Sequence, residues 1–200
     1  PYYYYKNTNP KLITYNDNPK YDINQSYFSN IVYDSIINEA SYTIGAGNDS
    51  VITIFPTQHE SGKAQFLITA TELQNQGLSA GTIDRLSLEV LNQGEEMKEV
   101  EIKIKKTTLP SLNDSTYEKD SLISVYHSNS SVLNLGQHAF NFTNPFIWDG
   151  ASNIVVDLTF INKGQTNNNY VFSGDDYGTT RGVYQLHNGC LDFEDDDIVD

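Results

Sequence analysis

Glu99-Val100-Glu101-Ile102-Lys103-Ile104-Lys105 alternates apolar and charged residues without a break. A strand sends successive side chains to opposite faces, so Val100, Ile102 and Ile104 share one face and the charges share the other. One buried and one solvated side is the pattern of an antiparallel sheet. Just upstream, Asn92-Gln93-Gly94 has the composition of a hairpin turn and would pair 83–91 with 96–106.

Comparable runs recur on both sides of this stretch. They are Tyr27–Tyr33, Ala40–Ile44, Ser50–Phe55, Gln65–Thr69, Ile83–Asn92, Glu96–Lys106, Ile123–Tyr126, His138–Thr143, Ile154–Asn162, Asn169–Ser173 and Arg181–Leu186. Many short strands separated by turn formers predict an all-β fold, a jelly-roll-like antiparallel β-sandwich. One short helix near residues 70–76 interrupts them. Thr69-Ala70-Thr71-Glu72 has the capping-box form, in which the hydroxyl accepts from the third amide and the glutamate reaches back. Leu73 supplies an apolar side and Gly77 the left-handed residue that ends the turn, so the helix is expected to plug one end of the sandwich.

Residues 1–24 are rich in Tyr, Asn, Lys and Pro and hold no sustained period, which reads as a linker or the tail of a preceding module. The run Tyr2–Tyr5 reads as an edge strand or a packing segment, with an aromatic binding stripe as the alternative. The β-sandwich module is assigned to 25–190, and 191–200 to an acidic linker or the start of a following module. Both ends are therefore expected to border other modules of the same chain.

The formal net charge is −14. Such acidity argues against nucleic acid, whose phosphates need clustered Lys and Arg. Lys98, Lys103, Lys105 and Lys106 form the one basic cluster and read as a solvated strand face. No apolar run approaches the roughly 18 residues of a membrane span. Cys190 is the single cysteine, so no internal disulfide forms.

The stretch Gln65-Phe66-Leu67-Ile68-Thr69-Ala70-Thr71-Glu72-Leu73, continued by Gly77-Leu78-Ser79-Ala80-Gly81-Thr82-Ile83, resembles a module of Bacteroidota surface proteins. Such modules occur, often repeatedly, in large chains exported by the type IX secretion system, including adhesin-like and gliding-associated ones. Val100–Ile104 with Thr107-Thr108 matches the same pattern, as does Phe142-Thr143-Asn144-Pro145-Phe146-Ile147-Trp148-Asp149-Gly150 followed by 152–157. The resemblance covers about residues 40–190, and its motifs are structural rather than catalytic. It implies an extracellular or cell-surface location, with neighbouring modules, surface glycans or proteins as partners. It also draws attention to Asp34-Ser35-Ile36, Asp49-Ser50-Val51, Asp114-Ser115-Thr116 and Asp120-Ser121-Leu122. These fit the O-glycosylation pattern of that phylum and make Ser35, Ser50, Ser115 and Ser121 candidate acceptors.

The chemistry of catalysis finds little purchase. No Gly-x-Ser-x-Gly elbow, Walker loop or dinucleotide fingerprint occurs, and His59, His127, His138 and His187 lack zinc spacing. His138 is expected on the solvent side of its strand. Trp148 reads as a core or corner plug, with a sugar-stacking platform beside Tyr126 as the alternative. No cofactor is expected. Calcium is the one candidate, at Asp175-Asp176 or around Asp192 and Glu194–Asp197, although neither has the spaced Asp-x-Asp-x-Asp-Gly loop. The expectation is a non-catalytic structural or adhesive module. The alternative is an accessory carbohydrate- or peptide-binding domain of a secreted hydrolase.

Overall fold

The fold is taken from a computed structural model of the chain. It describes residues 2–5, 11–14, 40–52, 54–112, 117–162, 164–174 and 181–187. Two units divide the chain at Ser41. In the first, β1 (Tyr2–Tyr5) and β2 (Lys11–Thr14) pair antiparallel, with Tyr3 opposite Ile13 and Tyr4 opposite Leu12. The tyrosine run is thus a strand, and its partner is the next apolar stretch. The expected strand Tyr27–Tyr33 lies outside the described residues.

In the second unit, β3 (Asp49–Val51), β4 (Ser61–Ile68), α1 (Ala70–Asn75), β5 (Gly81–Asn92) and β6 (Met97–Thr107) are followed by five more strands. These are β7 (Ile123–Ser131), β8 (Gly136–Trp148), β9 (Asn153–Ile161), β10 (Val171–Gly174) and β11 (Gly182–His187). They form two antiparallel sheets, one ordered β3-β10-β5-β8 and the other β11-β4-β9-β6-β7. The expected all-β sandwich with one short helix holds. Ala40–Ile44 is not a strand, and among the described residues of the expected run Ser50–Phe55 only Ser50 and Val51 join a sheet, as part of β3.

The inner faces follow from the alternation. Val100, Ile102 and Ile104 of β6 are buried, together with Ile154, Val156, Leu158 and Phe160 of β9. Facing them across one continuous core are Val90 of β5, Phe140, Phe146 and Trp148 of β8, and Phe172 of β10. Phe55 joins the layers: its ring lies 6.2 Å from Phe160 on one sheet, and 6.2 Å from Phe140 and 6.0 Å from Phe172 on the other.

The expected hairpin between β5 and β6 does not form. The two strands belong to different sheets, and Gln93–Glu96 carries the chain from one layer to the other. Gly94 is needed there for space rather than for a turn. A β-carbon on it would come 2.6 Å from the Tyr170 ring and 2.7 Å from the Tyr170 amide nitrogen. The buried Tyr170 hydroxyl accepts a 3.0 Å bond from Leu133 N–H, so the same tyrosine also holds the β7–β8 connection.

The opposite end is closed by α1. The Thr69 hydroxyl accepts from Glu72 N–H, and the Glu72 carboxylate accepts from Thr69 N–H at 2.8 Å, which is the expected capping box. Gly77 follows at φ +96. Ala70 and Leu73 are buried, and Ala70 N–H donates to the Asn153 side chain at 2.8 Å, tying the helix to the start of β9.

Candidate functional site

β9 departs from the one-sided pattern. Every residue from Ile154 to Phe160 is buried, so its outer face is covered as well as its inner one. On that outer face Asp157 lies directly opposite Gln65 of β4 and Lys103 of β6, and Val155 opposite Leu67 and Lys105. The cover is the connection between β6 and β7. Leu112 packs with Leu67, Val155 and Val183 in a small second apolar cluster. Leu109 is held through its carbonyl by the Asn153 side-chain amide at 2.7 Å.

The polar half of this face is built around Gln65 and Asp157, each 1% exposed. Gln65 Nε2 donates to Asp157 Oδ2 at 2.6 Å and to the Glu118 carbonyl at 2.6 Å, while Gln65 Oε1 accepts from Glu118 N–H at 2.8 Å. One amide side chain therefore engages a buried carboxylate and both main-chain groups of a single covering residue. Lys63 Nζ stands 3.3 Å from Asp157 Oδ2 and 5.3 Å from the centre of the Tyr117 ring. Lys105 pairs with the Glu118 carboxylate at 2.7 Å, and Lys103 with Glu101 at 3.0 Å.

Burial pushes the Asp157 carboxyl above its ordinary range, opposed by the Lys63 charge, the Gln65 and Lys63 hydrogen bonds, and Lys103. Burial also raises the Tyr117 hydroxyl, and the Asp157 and Tyr184 charges add to the shift. The expected solvated lysine face is corrected in part. Lys98 and Lys106 are exposed at the side chain, but Lys105 is largely covered by its contact with the β6–β7 connection.

Trp148 is 1% exposed, and its indole N–H donates to the Ser152 carbonyl at 2.7 Å. It is a corner plug, because a stacking platform needs a free ring face and this one is packed in the core. Tyr126 is half-buried and meets Phe140 edge-on at 5.3 Å. Beside the tryptophan, Asp149 accepts from Ala151 N–H at 3.0 Å, Ser152 N–H at 2.8 Å and the Ser152 hydroxyl at 2.8 Å. Those bonds hold its carboxyl well below the usual range.

Ser50 and Ser121 are both exposed, and Ser121 adopts φ +62. Ser35, Ser115, Asp175, Asp176 and Cys190 lie outside the described residues, as does the acidic run 191–200. Among the described residues no group of three His, Cys, Asp or Glu could hold a metal ion, and no helix is long and apolar enough to cross a membrane. His138 corrects its expected solvent position. It is half-buried against Phe140 at 5.0 Å, accepts from Asn134 N–H at 3.1 Å, and burial lowers its pKa. His127 lies 3.1 Å from Glu99 on an exposed part of the five-stranded sheet.

The chain matches no family model. No curated protein and no solved structure matches it either.

Sequence reasoning missed the cluster around Gln65 and Asp157. A signal for it exists in Ile154-Val155-Val156-Asp157-Leu158, where one carboxylate interrupts an apolar run. Such a run marks a strand buried on both faces, and a charge inside it needs a partner.

Proposed function

We propose that the chain is a non-catalytic structural or adhesive module of a large secreted or cell-surface protein, of the kind exported through the type IX system. The observation that carries this reading is what the residues of the resemblance do. Thr69 and Glu72 cap the helix, Val100, Ile102 and Ile104 fill the core, and Trp148 with Asp149 forms the corner into β9. The helix and that corner are joined by the Gln74 side chain, which donates to the Gly150 carbonyl at 2.7 Å. The residues that carry the resemblance are thus framework residues, as a repeated scaffold with variable surfaces requires. Neighbouring modules and surface glycans or proteins are its proposed partners.

Export is tested by tracking the parent chain in its own cells. Recovery at the surface or in the medium, lost when the type IX machinery is disabled, is the expected outcome. A chain retained in the cytosol of normal cells would overturn the reading. Mass spectrometry of the recovered protein tests glycans on Ser50 and Ser121.

An accessory peptide-binding domain is the second reading. It is favoured by the Gln65 amide, which engages main-chain groups independently of the side chain they carry.

A further inference from the structure

The β7–β8 connection, residues 132–135, is held at one point that ignores pH and at a second that does not. Leu133 is the first. Its side chain is fully buried, its N–H donates to the Tyr170 hydroxyl at 3.0 Å, and its carbonyl accepts from the Gln93 side-chain amide at 3.2 Å. Burial raises the Tyr170 pKa, so that hydroxyl stays protonated at neutral and acidic pH, and an amide side chain does not titrate.

The second point is one residue further on. Asn134 N–H donates to His138 Nδ1 at 3.1 Å. A main-chain N–H can only donate, so the bond requires a lone pair on Nδ1 and fixes the neutral ring with its proton on Nε2. Protonating Nδ1 would set one N–H against another. Between the two residues Gly136 lies at φ +78, with nothing within 4 Å of where a β-carbon would stand. Rotation there meets no side chain, and Leu135, 61% exposed, rides on this short segment.

The surroundings of the ring do not favour its charged form. It lies on the core side of β8, 5.0 Å from Phe140 and opposite Leu88 of β5. On β5, Arg85 and Glu89 alternate with the inward Leu88 and Val90 and so belong to the outer face. In the crossing from β5 to β6, Glu95 accepts from Asn167 N–H at 3.1 Å, and Glu96 is engaged by Ser130 and Lys98. On β7, His127 is paired with Glu99. Burial is the one cause of the lowered His138 pKa, so no neighbouring carboxylate offsets it.

We propose that His138 is an acid-released latch on the β7–β8 connection: the neutral ring holds Asn134, and the protonated ring frees residues 134–136 while Leu133 stays anchored. The folded ring binds its proton less tightly than the unfolded chain does. The latch is therefore fully closed above the ordinary histidine value and is lost as pH falls through the lowered one. Acid changes the surface that Leu135 presents without unfolding the sandwich, whether or not the chain is exported.

The test is an NMR titration of the full chain between about pH 7.5 and about pH 5, following the His138 ring nitrogens and the Leu133 and Asn134 amides. At the upper end the ring should carry its proton on Nε2. Through the ring's own midpoint the Asn134 amide should shift and lose protection from hydrogen exchange, after correction for the intrinsic rate. Leu133 should keep its protection. His138→Gln retains an acceptor that does not titrate, and should leave Asn134 protected across the range. His138→Phe removes the acceptor, and Asn134 should be unprotected throughout. A neutral ring with its proton on Nδ1 would overturn the proposal. So would an Asn134 amide that ignores the ring's titration, or Leu133 and Asn134 losing protection together. Should either variant fail to fold, the wild-type titration decides.

Discussion

Gln65 and Asp157 face each other across the β4–β9 ladder and share a buried 2.6 Å hydrogen bond on the side of the sheet that an open sandwich would leave to water. The bond orients the amide. With its nitrogen toward the carboxylate, the Gln65 oxygen is left to accept from Glu118 N–H, and the second amide hydrogen reaches the Glu118 carbonyl. A single side-chain orientation thus links two strands and the connection above them.

Replacing Gln65 with leucine should therefore cost about 2–3 kcal/mol, because Asp157 and both Glu118 main-chain groups lose partners inside a covered site. Glu118→Gln keeps the main-chain contacts and weakens only the partly exposed Lys105 pair, so it should cost less than about 1 kcal/mol. Urea midpoints for the two variants check the ranking. Equal losses would show that the main-chain contacts are not what holds the connection.

Two carboxylates should give stability–pH dependences of opposite sign. The folded pKa of Asp157 is raised, chiefly by burial, so the native state binds this proton more tightly than the unfolded chain does. Stability linked to Asp157 should rise as pH falls from its raised value toward the ordinary aspartate value near 4, and Asp157→Asn should remove that rise. Thermal melts between about pH 4 and 7 on the wild type and the variant test this.

Glu72 behaves the other way. Burial alone would raise its pKa, but the Thr69 hydroxyl and N–H bonds and the Arg181 contact more than offset that, and the net shift is downward. Its contribution is present above the ordinary glutamate value and lost as pH falls through the lowered one. Glu72→Gln should thus be destabilising at neutral pH, with the gap to wild type closing below about pH 4. A gap that stays constant to low pH would show that the capping charge plays no part.

Gly94 and Gly164 should respond oppositely to alanine. At Gly94 the new methyl meets Tyr170 backbone and ring, so a loss of about 1–3 kcal/mol from overpacking is expected. At Gly164 nothing lies within 4 Å and φ is not in the left-handed region, so alanine should be neutral or stabilising by up to about 1 kcal/mol. Denaturant midpoints decide both.

Trp148 is the single tryptophan, so its emission reports the corner directly. Its burial predicts a blue-shifted maximum that moves red only on unfolding. Titration with soluble oligosaccharides should leave it unchanged, whereas a saturable shift at constant fold would restore the platform reading.

Much of the framework was legible because its signals are local. Period-two alternation identified the buried face of β6 from Val100, Ile102 and Ile104, and the Thr69–Glu72 spacing located the helix cap to the residue. The cluster on the outer sheet face was not legible. Lys63 and Gln65, Lys105, Glu118 and Asp157 come from four separate stretches, and although Asp157 stands out inside an apolar run, nothing local says which distant groups meet it.

The sequence by itself determined where most of the sandwich strands fall, where the helix starts and which side of β6 turns inward, since those depend on neighbours a few residues away. Only the tertiary structure decided which strands pair and what lies over them. Asn92-Gln93-Gly94 satisfies a hairpin's composition, yet the chain changes sheets there, and Gly94 leaves the space that Tyr170, far along the sequence, packs into. Asp157 is ionisable in any context, and it became a buried anchor because a long connection folded back across its face. Pairing and coverage are set by contacts between distant segments, which local propensity does not encode.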